Sequence, residues 1–352
     1  MSTQNREIAI NLRDLKTSLP KIVLENHFEM VPQMKQKYND RYIKLYLEDT
    51  AYHVSYLAES VSAGKPELFN EYLKWAKIFF ANLSVSDEEI ILNLELLRDA
   101  LVYKLAPEMH SITSKFINEG ISAYKSQPII PSSYIDDLNP LKISAENYLN
   151  YLIIGEKKAA YELILRNVNN GVSIRDIYLN IFQVTQKETG RLWQMSKISV
   201  AQEHFITAVT QLIMSQLYPI LFTGKNNDKK IIVSCINGEL HELAPRMVAD
   251  LFELDGWNTY FYGANTPQES LIKEIITKKP DLLAISVTMT FNLMQVEELI
   301  GKVKNNPATK DVKIFVGGYP FLLADGLWND MGADGFAIDA VSAIERANEL
   351  IN

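Results

Sequence analysis

Apolar positions recur at three- and four-residue intervals through most of the first 223 residues, for example across 42–61, 66–83 and 88–105. That spacing lines one face of an α-helix, and no alternating run competes with it there. Beyond residue 223 the pattern changes to short apolar runs at 231–236, 259–262, 282–287, 314–316 and 335–338, each separated from the next by a stretch of helical period. Strands alternating with helices predict a five-stranded parallel sheet with crossover helices, of flavodoxin-like (Rossmann-like) type. A ligand is then expected in the loops at the carboxyl ends of the strands. Ten of the chain's 15 glycines lie in this last part, in keeping with its more frequent turns.

Residues 127–140 carry Pro128, Pro131 and Pro140 with Ser132, Ser133 and Asp136, a composition that stops helices and predicts a linker. The expected division is therefore a helical domain at 1–126, a linker at 127–140, a four-helix bundle at 141–223 and the sheet domain at 224–352. Bundle helices are predicted near 144–154, 157–169, 174–193 and 200–222. Asn170-Gly171 closes one of them, and Ser173 with Asp176 opens the next. The net charge of -8 removes the broad positive field of a nucleic-acid binder. A single cysteine, Cys235, makes no internal disulfide or thiolate zinc site, which suits a reducing cytoplasm. Residues 1–15 lack the apolar core of a signal peptide. The uncharged run 205–222 has one polar side at Thr207, Thr210, Gln211, Ser215 and Gln216, so it reads as a bundle helix and not a membrane span.

The loop after the first strand, Asn237-Gly238-Glu239-Leu240-His241, places an imidazole at a strand's carboxyl end with a carboxylate two residues earlier. Such a pair suits an oriented metal ligand, although loop histidines often pair with neighbouring carboxylates for structural reasons alone. Two later elements change the weight of this loop. After Ala244, 41 residues precede Ser286-Val287-Thr288, and 28 residues separate Thr288 from Gly317-Gly318. Together these resemble the cobalamin-binding domain, whose pattern is Asp-x-His-x-x-Gly, then Ser-x-Leu, then Gly-Gly. The resemblance implies base-off, His-on binding, with His241 as the axial cobalt ligand in place of dimethylbenzimidazole. It implies that Ser286 and Thr288 offer hydroxyls to the freed nucleotide tail and that Gly317 and Gly318 leave room for it. Glu239 stands for the usual Asp, Thr288 for Leu and Ala244 for Gly; glutamate at the first position also occurs in light-sensing members.

In the expected bundle, Trp193 is followed after nine residues by Glu203-His204. This resembles the Trp-x9-Glu-His motif of CarH-type photoreceptors, which bind adenosylcobalamin. By that resemblance Trp193 covers the upper corrin face while Glu203 and His204 contact the adenosyl group. Without it, Trp193 reads as a core residue and Glu203 as a helix cap. Gln194 occupies the position where familiar members carry a second histidine, so no bis-histidine photoproduct is expected through it. Residues 1–126 show no winged-helix pattern, and direct nucleic-acid binding is not expected. Their aromatic cluster, Tyr52, Tyr56, Phe69, Tyr72, Trp75, Phe79 and Phe80 around His53, resembles helical domains of photocobilin-like sensors. It reads either as core or as a site for a noncovalent bilin such as biliverdin.

The expected function is a cytoplasmic cobalamin-binding light sensor without catalytic residues, its output passing through a protein partner or a homo-oligomer. A corrinoid methyl carrier serving methyltransferases and a light-independent cobalamin sensor are the alternatives.

Overall fold

The computed structural model describes residues 2–221 and 226–351. The boundary expected at 223/224 lies outside the described residues. The described chain forms two compact units. The first comprises 1–129 together with 287–301 and 318–333, and the second comprises 130–286, 302–317 and 334–352.

In the first unit, seven helices fill the amino-terminal region: α1 (Thr3–Asp14), α2 (Leu19–Met30), α3 (Pro32–Lys37), α4 (Asp40–Ala63), α5 (Pro66–Asn82), α6 (Asp87–Lys104) and α7 (Pro107–Ser126). Local chemistry sets their ends. The Asn39 carboxamide accepts the Tyr42 N–H at the start of α4, and Gly64 closes that helix at φ 68°. The Ser86 hydroxyl starts α6 in the same way as Asn39 starts α4. Their apolar faces meet in one core that includes Leu12, Val54, Leu57, Phe69, Leu73, Leu97 and Ile117. Gly120 allows α7 to approach α5, because a Cβ there would sit 2.7 Å from Leu73 Cδ1.

Of the aromatic cluster, Phe69 and Phe80 belong to this core and Tyr56, Tyr72 and Phe79 pack against it, while Tyr52 and Trp75 are exposed. His53 is buried, its Nδ1 hydrogen-bonded to the Tyr72 hydroxyl at 2.8 Å. Tyr72 in turn stacks on Tyr56 with ring centroids 3.8 Å apart, and Phe80 meets the imidazole edge-on. Burial holds the His53 imidazole down at about 4, against an ordinary value of 6.5. Between those values the unfolded chain takes up a proton that the folded chain refuses. The His53 contribution to stability is therefore lost as pH falls through that window, by up to about 3 kcal/mol. Asp49, pushed up to about 6 by burial and then by Glu48, acts with the opposite sign between its ordinary 3.8 and that value. Comparison with His53→Gln isolates the histidine. Wild type is expected to lose stability relative to the variant below pH 6.5 in denaturant titrations, and a pH-independent difference would contradict a neutral, buried imidazole.

The second unit joins a four-helix bundle to a parallel sheet. The bundle comprises α8 (Lys142–Ile153), α9 (Lys157–Asn169), a third helix built from α10 (Ile174–Ile177), a π turn (Tyr178–Gln183) and α11 (Val184–Gln194), and α12 (Val200–Leu221). Gly171 turns the chain at φ 88°, and the Ser173 hydroxyl accepts the Asp176 N–H at 3.0 Å to begin α10. The π turn brings Tyr178, Ile181 and Phe182 to the core side together. Residues 127–140 contain no regular helix; within the second unit the Tyr134 N–H is donated to Glu188 and the Asn139 side chain to the Asn180 carbonyl.

The strands are β1 (Lys230–Cys235), β2 (Asn258–Phe261), β3 (Leu282–Ser286), β4 (Lys313–Gly317) and β5 (Gly335–Phe336), in the all-parallel order β2-β1-β3-β4-β5. This is the flavodoxin-like order expected from the βα series, and it puts the strand ends of β1 and β3 side by side. The helices are α13 (Leu243–Leu254), α14 (Gln268–Lys278), α15 (Leu293–Asn305), α16 (Tyr319–Leu323), α17 (Leu327–Asp330) and α18 (Ala340–Ile351). One apolar core runs from the bundle (Tyr148, Ile181, Phe182, Ile213) to the sheet domain (Ile231, Met247, Phe252, Ile344). No helix among the described residues is long and apolar enough to cross a membrane.

Candidate functional site

Cys235, with no exposed surface, ends β1, and burial pushes its thiol up to about 12. The chain then leaves the sheet and turns at Gly238, φ 82°. Glu239 folds back under the loop and is fully buried. Its Oε1 accepts the backbone N–H of His241 at 3.1 Å and faces His241 Nδ1 at 2.5 Å. The side chain of His241 is 56% exposed, and Nε2 has no protein partner among the described residues. The hydrogen bond from Nδ1 to Glu239 raises the imidazole above its ordinary value. A buried carboxylate on Nδ1 favours the tautomer with that nitrogen protonated, so the lone pair lies on Nε2.

Asn265 locks this loop from the side. Its side-chain oxygen accepts the Gly238 N–H at 2.7 Å, and its own N–H is donated to the Glu239 carbonyl at 2.8 Å. Sequence reasoning missed this residue, which lies 27 positions from Gly238 in a loop after another strand. Glu242 makes a second brace. One oxygen accepts from Gln211 on α12 at 3.0 Å and the other from the Ala264 N–H at 2.9 Å. Gly263, φ 69°, permits that approach, because a Cβ there would meet the same oxygen at 2.9 Å. The bundle is also tied to α13 by the Tyr178 hydroxyl on Asp250 and by Arg246 on Ser215.

The bundle residues singled out by sequence lie at the α11–α12 turn. Trp193, near the end of α11, is half-buried against the shared core, and Gln194 beside it is buried. The cap of α12 is a reciprocal pair, Ser199 accepting the Gln202 N–H and Gln202 accepting the Ser199 N–H. Glu203 is therefore not the cap. Its carboxylate accepts the Thr207 hydroxyl at 3.1 Å, and its charge contributes to raising the imidazole of His241. Thr207 continues to Gln186, which reaches Thr210 and so the buried Tyr148 hydroxyl. His204 is 74% exposed, with Nε2 3.4 Å from Glu203.

At the other strand ends, Ser286 and Gly317 are register partners on β3 and β4. A Cβ built on Gly317 would meet nothing within 4 Å, so the space beside that strand end is open. Thr288 and Gly318 fall in the other unit. There Gly318, φ 107°, passes so close to the preceding loop that a Cβ would stand 1.8 Å from the Val287 carbonyl oxygen.

Among the described residues no three His, Cys, Asp or Glu side chains gather to hold a bare ion. One oriented imidazole nitrogen is sufficient as the axial donor to a macrocycle-bound metal, and an open strand end beside a glycine suits an attached tail. Residues 144–218 and 229–347 each match a family model described as a B12 binding domain. Both segments are B12-binding domains.

Relatives of these B12-binding domains are corrinoid proteins. The dimethylamine corrinoid protein of Methanosarcina barkeri is 28% identical over 122 residues, covering 34% of this chain and 56% of that protein. Dimethylamine corrinoid protein 1 of Methanosarcina acetivorans is 23% identical over 167 residues, or 47% of this chain and 77% of its own. Several matched relatives are thus spanned over little more than half their length. The solved monomethylamine corrinoid protein of Methanosarcina barkeri aligns with TM-score 0.52 at 21% identity, over 60% of this chain and 99% of that one, a likeness of fold.

Proposed function

We propose that this chain is a corrinoid carrier of a methyltransferase system, holding its cofactor base-off with His241 on cobalt. The observation that carries the reading is the exposed His241 side chain pinned at Nδ1 by fully buried Glu239, which leaves the Nε2 lone pair as the ring's donor. The names of the relatives, which are corrinoid proteins of methylated amines, supply the methyl-carrying part. When bound, the corrinoid supplies a cobalt centre able to accept and release a methyl group. The chain supplies the rest. Glu239 holds the tautomer and stabilises positive charge on the ring when Nε2 donates strongly, while Asn265 keeps the loop from following the ring. Ser286 and Gly317 at the strand ends would receive the nucleotide tail, and the resemblance assigns Thr288 and Gly318 to the same tail. The bundle would cover the bound group, and a partner transferase would perform the bond-making, so the chain itself would turn nothing over. The single buried cysteine suits a cytoplasmic setting.

A second reading, a light sensor loaded with adenosylcobalamin, draws on Glu203, which lies near enough to His241 to act on its charge, with Trp193 and His204 at the same turn. A bilin at His53, which would belong to this second reading, would have to displace the Tyr72 hydroxyl from a buried ring.

The test loads the full chain with hydroxocobalamin, reduces it and offers methyl iodide, then loads adenosylcobalamin and measures mass in solution in darkness and after illumination. Methylation of the reduced holoprotein with no light-dependent change in mass supports the carrier. A change in mass on illumination that Trp193→Ala abolishes transfers the assignment to the light sensor, and a colourless protein refutes both.

A further inference from the structure

The amino-terminal helices hold the segments that follow β3 and β4. Glu59, on α4, is only 4% exposed. One of its oxygens accepts both Nε and Nη2 of Arg13, at 2.9 and 2.7 Å. The other accepts the backbone N–H of Met294 at 3.1 Å. Met294 is the second residue of α15, so the carboxylate satisfies one of the helix's free amino-terminal N–H groups, where negative charge is favoured. The same segment is gripped twice more, by Arg6 on Glu297 and by Tyr56 edge-on to Phe291 at 5.5 Å. The segment after β4 is held by the Tyr319 hydroxyl on Glu71 at 2.7 Å and by Lys65 on the Asp325 carbonyl at 2.6 Å.

Thr288 lies six residues before Met294, and Gly318 directly precedes Tyr319. We infer that Glu59 is a positioning residue for the nucleotide tail of the corrinoid, through which the amino-terminal helical domain and tail occupancy control one another. The inference rests on the cobalamin reading above, in which Thr288 and Gly318 meet the tail. A buried carboxylate shared between a guanidinium and a helix terminus has few alternative arrangements, since loss of either partner leaves charge or a polar N–H without compensation. Loop positions that a tail selects are therefore transmitted to α4, and a state of α4 that releases Met294 lowers affinity for the tail. Linkage requires the effect to be reciprocal.

The tail can be separated from the macrocycle chemically, because diaquocobinamide is a corrinoid without the nucleotide. Full-length wild type, Glu59→Gln and Lys65→Met are titrated with hydroxocobalamin and with diaquocobinamide. Glu59→Gln is expected to weaken hydroxocobalamin roughly tenfold while leaving diaquocobinamide within about twofold of wild type. Lys65→Met, on a partly exposed side chain, should shift in the same direction by less, and its titration decides between the outcomes if Glu59→Gln does not fold. Amide exchange in α4 and at 290–300 should slow with hydroxocobalamin and not with diaquocobinamide. Equal losses for both ligands, or undiminished hydroxocobalamin affinity with histidine still on cobalt, overturn the inference. Failure of wild type to bind hydroxocobalamin through His241 overturns the reading beneath it.

Discussion

His241→Ala is expected to abolish histidine ligation of cobalt outright. In the cobalt(II) form, wild type grown on nitrogen-15 histidine should show an axial nitrogen coupling of two lines where unlabelled protein shows three. The variant should show the same pattern with or without the label. Glu239→Gln keeps the ligand and removes the anion from Nδ1, which sits 2.5 Å away. Its affinity for hydroxocobalamin should fall by about 10- to 100-fold, the usual cost of losing an outer partner of a metal-bound histidine. Labelled coupling that survives in His241→Ala would place another histidine on the metal and remove the basis of the functional reading. Normal affinity in Glu239→Gln would show that ring orientation comes from the loop braced by Asn265 and not from the carboxylate.

The adjacent glycines should separate binding from folding. Gly317 has open space where its Cβ would point and no left-handed backbone, so Gly317→Leu is expected to fold with a thermal midpoint close to wild type. The new side chain occupies room assigned to the nucleotide tail, and hydroxocobalamin affinity should fall by at least about tenfold, since about 1.4 kcal/mol of lost contact suffices. Gly318→Ala should act on folding first. At φ 107°, with a Cβ 1.8 Å from the Val287 carbonyl oxygen, it forces the backbone to move. Strain of this kind costs on the order of 1–3 kcal/mol, read as a lowered denaturation midpoint before any ligand is added. A Gly317→Leu protein that binds hydroxocobalamin normally would show that the tail does not use this strand end.

The elements that sequence makes legible are those whose chemistry is local. Helices of the bundle follow from a period of about 3.6 residues, and the start of α10 from Ser173 and Asp176 three positions apart. The Glu239–His241 pair is readable because two residues in one loop need no tertiary argument. Register along β5 is not. The run 335–338 reads as four strand residues, but only Gly335 and Phe336 find partners on β4, and pairing ends there. The π turn at Tyr178–Gln183 leaves the apolar period nearly unchanged while altering which carbonyl each N–H meets, so hydrophobicity does not report it. Glu203 reads as a cap only while the reciprocal Ser199–Gln202 pair immediately before it goes unnoticed. Asn265 and Glu59 are invisible for a different reason. Their partners lie 27 and 235 positions away, and nothing in the residue types announces which backbone N–H a distant side chain will reach.

The lone thiol at the end of β1, sealed from solvent, also makes this chain a ready host for site-directed probes. A cysteine placed at exposed Leu240, or at Phe205 on the facing module, becomes the one reactive sulfur in the native molecule without any prior mutation to silence a background. A double-label variant would then give the separation of α12 and the loop as a spin–spin distance, before and after loading, in otherwise wild-type protein.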